Sequence, residues 1–403
     1  MNAREEAQRF LDQYRAAHGI SSSGLPPAVV KGVDNWTVRH TFTPEQAQDP
    51  DTRAHMEQLN AMSARGGLDE VMSYLLAEMH DHIEKTAATW LKGRDIGQQP
   101  LIGHLQTGQL NAVTMPVPGS EAYLVLFHDQ MTSFVILLSE TIAFAMPRDH
   151  RADTKGRLVF KATVGDMTEQ IEAHPEIADC FAKIVVSYAV TGRLVRGLGD
   201  RLTPDVVSLA VKLDFSLWYF VLGHERAHII LGHLHTTAAR KGVLPDAEVE
   251  ALAYSWWQEL EADLLGMKLS MSAGTNYGKL DFPLAFIGIG LFFDALDVMD
   301  RAVALLQTGD ENACQLGSHP PCDLRKQYLR ESLSKLVETD PAYAEHVRRA
   351  LELSETQSEI IRLLWERTRP ILLDLHRRGV PTAHTWRTIP KKTGDEPEAY
   401  SQV

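Results

Sequence analysis

Cysteine is scarce in this chain. Only Cys180, Cys314 and Cys322 occur among 403 residues, an odd count without CxxC spacing. That gives no cysteine-built metal site and suits a reducing, cytoplasmic setting. Basic runs are missing as well. The net charge is −13, with acidic residues spread along the chain, so no basic face is available for a phosphate backbone and no nucleic-acid partner is expected. The stretch MNAREEAQRFLDQYRAAHGI alternates charged and apolar residues and has no apolar h-region, so it does not read as a signal peptide. Nor does any apolar run reach the ~20 residues of a membrane span. Glu140 interrupts 132–146, and Asp294 and Asp297 interrupt 282–299. Both stretches are expected to be buried helices, and no membrane span is expected. Internal repeats are also lacking.

What is present is an ordinary globular composition, 44% apolar and 23% charged, long enough for one elaborated domain or two. Helical periodicity covers residues 3–18 and resumes near 53, becoming strong over 68–91. His80 and His82 lie there two apart. Such residues point to different sides of a helix, so the pair reads as a solvated face and not as a metal site. The clearest strand signal is LNAVTMPVPGSEAYLVLF (110–127), two β-rich runs about a turn with Pro118 and Gly119, which predicts a hairpin. RLVFKATV (157–164) has short strand character. Pro175 is placed to open a helix, and Thr203-Pro204-Asp205 to start another that continues past 228. Further helices are predicted over 246–273, 282–305, 323–337 and 341–377, with a loosely held tail beyond. The expected fold is mainly α, with a small sheet.

Within the helix that starts near 204, residues 224–228 spell HERAH. At 100° per residue His224 and His228 share one face, along with Leu217, Val221 and Leu231, so both imidazoles are expected to face inward. Two histidines at this spacing, with Glu225 beside them, have the geometry of a zinc site whose glutamate acts on a bound water. Thirty residues on, WWQELEADLLGMKL (256–269) offers Glu259 as a third ligand, completing a His₂Glu set. Asp263, one turn along on the same face, is expected to accept the free N–H of a ligand imidazole. Glu261 points away. Gly232 comes one place too late, and Leu234 replaces a third histidine, so His233 and His235 are not expected to be ligands.

HERAHIILGH followed by ELEAD resembles the gluzincin peptidases related to CAAX prenyl protease type 1 and the heat-shock protease HtpX. LNAVTMPVPGSEAYLVL resembles that family's NAfalPgG-type hairpin, and GSHPPCDLRKQYL (317–329) its HPP-x-x-x-R segment. The membrane spans of those relatives are missing, so their substrates do not carry over. The resemblance implies a zincin-like core. It also makes His319 a donor to the oxyanion and Arg325 a support for that donor or for the substrate backbone. Residues 101–340 would form the peptidase core with a helical insertion at about 129–215, between an N-terminal helical region (1–100) and a C-terminal helix and tail (341–403).

The function expected is zinc-dependent endopeptidase hydrolysis of a protein or peptide substrate, with one Zn²⁺ per chain and Glu225 as general base. Activity is either constitutive or latent, held shut by 1–100 or by the insertion until a regulatory partner or signal opens it. The alternative is a catalytically silent zinc-binding regulatory or interaction protein on the same fold.

Overall fold

The computed structural model describes residues 2–17, 50–105, 109–147, 163–195, 198, 202–234, 247–313 and 319–383. In chain order the elements are α1 (Ala3–Ala17), α2 (Pro50–Trp90), β1 (Leu101–Leu105), β2 (Ala112–Pro116), β3 (Tyr123–His128), α3 (Asp129–Ala145), α4 (Val164–Ala173), α5 (Pro175–Thr191), α6 (Pro204–Ile230), α7 (Ala247–Asn276), α8 (Phe282–Thr308), α9 (Cys322–Thr339) and α10 (Ala344–Arg377), with a 3₁₀ turn at Pro341–Tyr343 before the last. The protein is mainly helical, with one small mixed sheet.

Proline in the first turn starts α5, α6 and α8, where its missing N–H costs nothing and its fixed φ suits a helix. α6 is the central element. Leu213, Trp218, Phe220 and Leu222 are all fully buried and point to different sides of it, so α6 needs neighbours all round. It has them in α7, α3, α8, α2 and β2. α6 and α8 are long and apolar enough to cross a membrane by length and composition. Their apolar windows are 83% and 78% buried against the rest of the chain.

The predicted hairpin is present as β2 and β3, antiparallel, with Thr114 opposite Val125. The sequence reading missed β1, which pairs parallel with β3 to give the order β1-β3-β2. LIGHL is too short for its alternation to stand out. β3 is buried along its whole length, and α1 lays Ala7 and Leu11 over Leu105, Leu124 and Leu126 as a second, smaller core.

Three expectations change. The strand character at 157–164 falls largely outside the described residues, and where description resumes Thr163 caps α4 and Val164 begins it. Residues 379–383 are fastened, through Ala383 N–H to the Ala189 carbonyl (2.8 Å) and Gln307 to Thr382 (3.0 Å). Residues 384–403 lie outside the described residues. The 80–82 pair is no solvated face, because His80 is 2% exposed.

Candidate metal centre

α6 and α7 cross with their backbones in contact. A Cβ on Gly223 would fall 2.8 Å from the Gly266 carbonyl oxygen, and one on Gly266 would fall 2.8 Å from the backbone N and Cα of His224. Only a glycine pair permits that approach. Gly266 follows Asp263 by three residues and Glu259 by seven, so the crossing aims both acids at His224. Leu217 and Val221 are buried on the same stripe as expected, whereas Leu231 follows the end of α6 and is 40% exposed.

His224, His228 and Glu259 come together as a possible metal-binding group. The two Nε2 atoms are 3.1 Å apart, and each lies 3.6 Å from an oxygen of Glu259. Tetrahedral ligands on bonds of about 2.0–2.1 Å stand about 3.3 Å from one another, so the imidazole pair matches such an edge, while Glu259 approaches His224 through Oε2 and His228 through Oε1. The other ring nitrogens face away from this point. Asp263 Oδ1 is 2.9 Å from His224 Nδ1, so the carboxylate favours a proton on that nitrogen and with it the tautomer that leaves Nε2 as a lone pair. His228 Nδ1 is 3.0 Å from His233 Nδ1. The donor set and its tautomers therefore fit a divalent cation.

Behind the donors, Arg325 grips Asp263 with two bonds of 2.7 Å and reaches Glu259 Oε2 at 3.1 Å. Its guanidinium lies 4.8 Å from the Phe293 ring centre, a cation–π contact. Its side chain is 5% exposed, so it orients the acids and is not open to a substrate backbone, one of the two roles the resemblance implied. His319 Nδ1 is 3.0 Å from Glu259 Oε2, and its side chain is 44% exposed. His319 thus sits at the centre, against a ligand carboxylate.

Glu225 lies beside the donors without joining them. Its Oε2 accepts from the Thr114 hydroxyl at 2.7 Å. Burial pushes its carboxyl above the usual range and Glu259 adds to this, against His224 and Thr114. Burial, helped by His224, holds His228 down to about 3, as a neutral ligand requires. For His224 burial acts downward too, but Asp263 and Glu259 outweigh it and raise the pKa. Burial acts to raise Glu259 and Asp263. His319, His224 and Arg325 overcome it at Glu259, and Arg325 and His224 at Asp263, so both carboxyls end below their ordinary values.

Of the neighbouring polar residues, Glu261 turns away and is 41% exposed, 3.5 Å from His233 Nε2. His233 supports His228 from behind, and His235 lies outside the described residues. Sequence reasoning passed over Thr114 and Arg226. Arg226 is fully buried on the far side of α6, with Nε 2.5 Å and Nη2 3.0 Å from the carboxylate of Glu84. His80 Nε2 is 3.2 Å from the same carboxylate. A polar residue at an inward strand position and an arginine among apolar helix neighbours were the available signals. Compared with known protein families, with curated proteins and with solved structures, the chain matches none.

Proposed function

We propose that the chain is a zinc-dependent endopeptidase of gluzincin type, resembling the CAAX prenyl protease type 1 and HtpX group, with a zincin-like core made by the sheet, α6 and α7. The observation that carries this reading is Glu225. A site built only to hold a metal has no use for a buried carboxylate beside three sufficient donors. A hydrolase needs one as its base.

Zinc held by His224, His228 and Glu259 would polarise the scissile carbonyl and acidify a water. The rest falls to side chains. Glu225, whose burial strengthens its hold on a proton, takes the proton of the attacking water and passes it to the departing amine. Asp263 keeps His224 in the ligating tautomer, and Arg325 keeps Asp263 and Glu259 in place. His319 supplies the donor for the developing oxyanion. An extended peptide lies along the outer edge of β2, where main-chain pairing is independent of side-chain identity.

Glu225→Gln keeps the shape and removes the base. Incubated with a mixture of end-blocked random decapeptides and read by mass spectrometry, this variant loses roughly 10²–10⁴ in cleavage rate. It retains near one equivalent of zinc and the wild-type melting temperature. Cleavage by the variant equal to that by wild type rules the mechanism out.

A further inference from the structure

Two properties meet at Thr114, and they concern different halves of the reaction. Its hydroxyl lies 2.7 Å from Glu225 Oε2 and 3.2 Å from the main-chain carbonyl oxygen of the same residue. A hydroxyl has one proton to give, and here it is shared between side chain and main chain of one residue. Among the described residues no other side chain hydrogen-bonds the Glu225 carboxylate. Oε2 is therefore capped, and Oε1 is left to work.

The second property is the register of β2. His128 N–H donates to the Asn111 carbonyl and Val117 N–H to the Ala122 carbonyl. Antiparallel ladders alternate, so Asn111, Val113, Met115 and Val117 point their main-chain groups at β3. Ala112, Thr114 and Pro116 point theirs at the open edge. Pro116 has no N–H to offer. The edge thus presents a donor together with an acceptor at Ala112 and Thr114 alone, and of these only Thr114 touches Glu225.

We propose that Thr114 is a positioning residue that couples peptide docking to the base. Its hydroxyl fixes Glu225 so that Oε1 receives the proton, and its main chain pairs with the substrate residue that sets the scissile bond beside that oxygen. This rests on the peptidase reading, and it narrows the substrate class to short extended segments gripped through one or two residues of backbone. A residue serving only as strand packing would tolerate loss of its hydroxyl.

Thr114→Val keeps the shape without the hydroxyl, and Thr114→Ser keeps the hydroxyl. In metal-free protein with ¹³C-labelled glutamate carboxyls, the Glu225 resonance is identified by its absence in Glu225→Gln. It should shift in Thr114→Val and stay near its wild-type position in Thr114→Ser. On one decapeptide that zinc-loaded wild type cleaves, Thr114→Val should lower kcat by up to about 10²-fold, the scale of a misplaced catalytic group. KM, zinc content and melting temperature should hold, and Thr114→Ser should recover most of the rate. Replacing one amide at a time in that peptide by an ester should raise KM at a position next to the scissile bond. Should Thr114→Val melt early, Thr114→Ala carries the same readings. An unmoved Glu225 resonance, an unchanged kcat, or an ester series without a preferred position overturns the proposal while the loss in Glu225→Gln leaves the peptidase reading standing. Full activity in Glu225→Gln removes both.

Discussion

The five residues His224 to His228 place buried polar groups on opposite sides of α6, and the two sides differ in kind. On the α2 side Arg226 meets the carboxylate of Glu84, which also holds His80. A cation and an anion pair there with an imidazole beside them, and although a buried atom such as Arg226 Nη1 finds no hydrogen-bond partner among the described residues, these groups do not converge on one point. On the α7 side two imidazole nitrogens and a carboxylate oxygen converge, while Asp263, Arg325 and His233 occupy their outer faces. Imidazole and carboxylate are the donor types that share a divalent cation. Burial alone therefore does not mark a functional site. What marks it is the convergence on one point of donor atoms of the kinds that ligate a metal.

The sharpest way to break this contrast is to delete a converging donor. His228→Ala or Glu259→Ala should lose zinc entirely by metal analysis after dialysis, where wild type retains near one equivalent. Full zinc content in either variant means that the donor set is wrong. On the opposite side, Arg226→Ala leaves Glu84 without its cation and should cost about 3–5 kcal/mol of stability, as for other broken buried pairs. Denaturant unfolding measures this, and zinc stoichiometry in the protein that remains folded should not change. A variant as stable as wild type would show that the α2 side is not the buried ion pair described. Smallest is the separation within ELEAD. Asp263→Ala should weaken zinc affinity by roughly 10–100-fold, the scale for groups that orient a ligand, while Glu261→Ala changes it little in a competitive chelator titration. Equal losses at the two positions would contradict the helix phase that turns Glu261 outward.

Local periodicity alone made parts of this protein legible. The spacing of His224 and His228 puts them on one helix face whatever surrounds that helix, because 3.6 residues per turn is a property of the backbone. The same holds for Glu259 and Asp263, and for the proline starts of α5 and α6. The hairpin at β2 and β3 was readable because its turn and both strands lie within 18 consecutive residues. His319 and Arg325 were different. Nothing in SHPPCDLR indicates its place by spacing, and the resemblance alone singled these residues out.

Contacts between distant segments decided the rest. His80 looks like a surface histidine until α2 packs on α6 and brings Glu84 to Arg226, 142 residues away. Thr114 is an ordinary strand residue until β2 lies beside α6, and β1 is five unremarkable residues until β3 offers a partner. Gly223 and Gly266 were visible as letters, but which backbone each must admit depends on where two helices cross. Helix phase is set by bonds between residues a few positions apart, whereas the partner of a buried charge is chosen by packing, which only the folded chain determines.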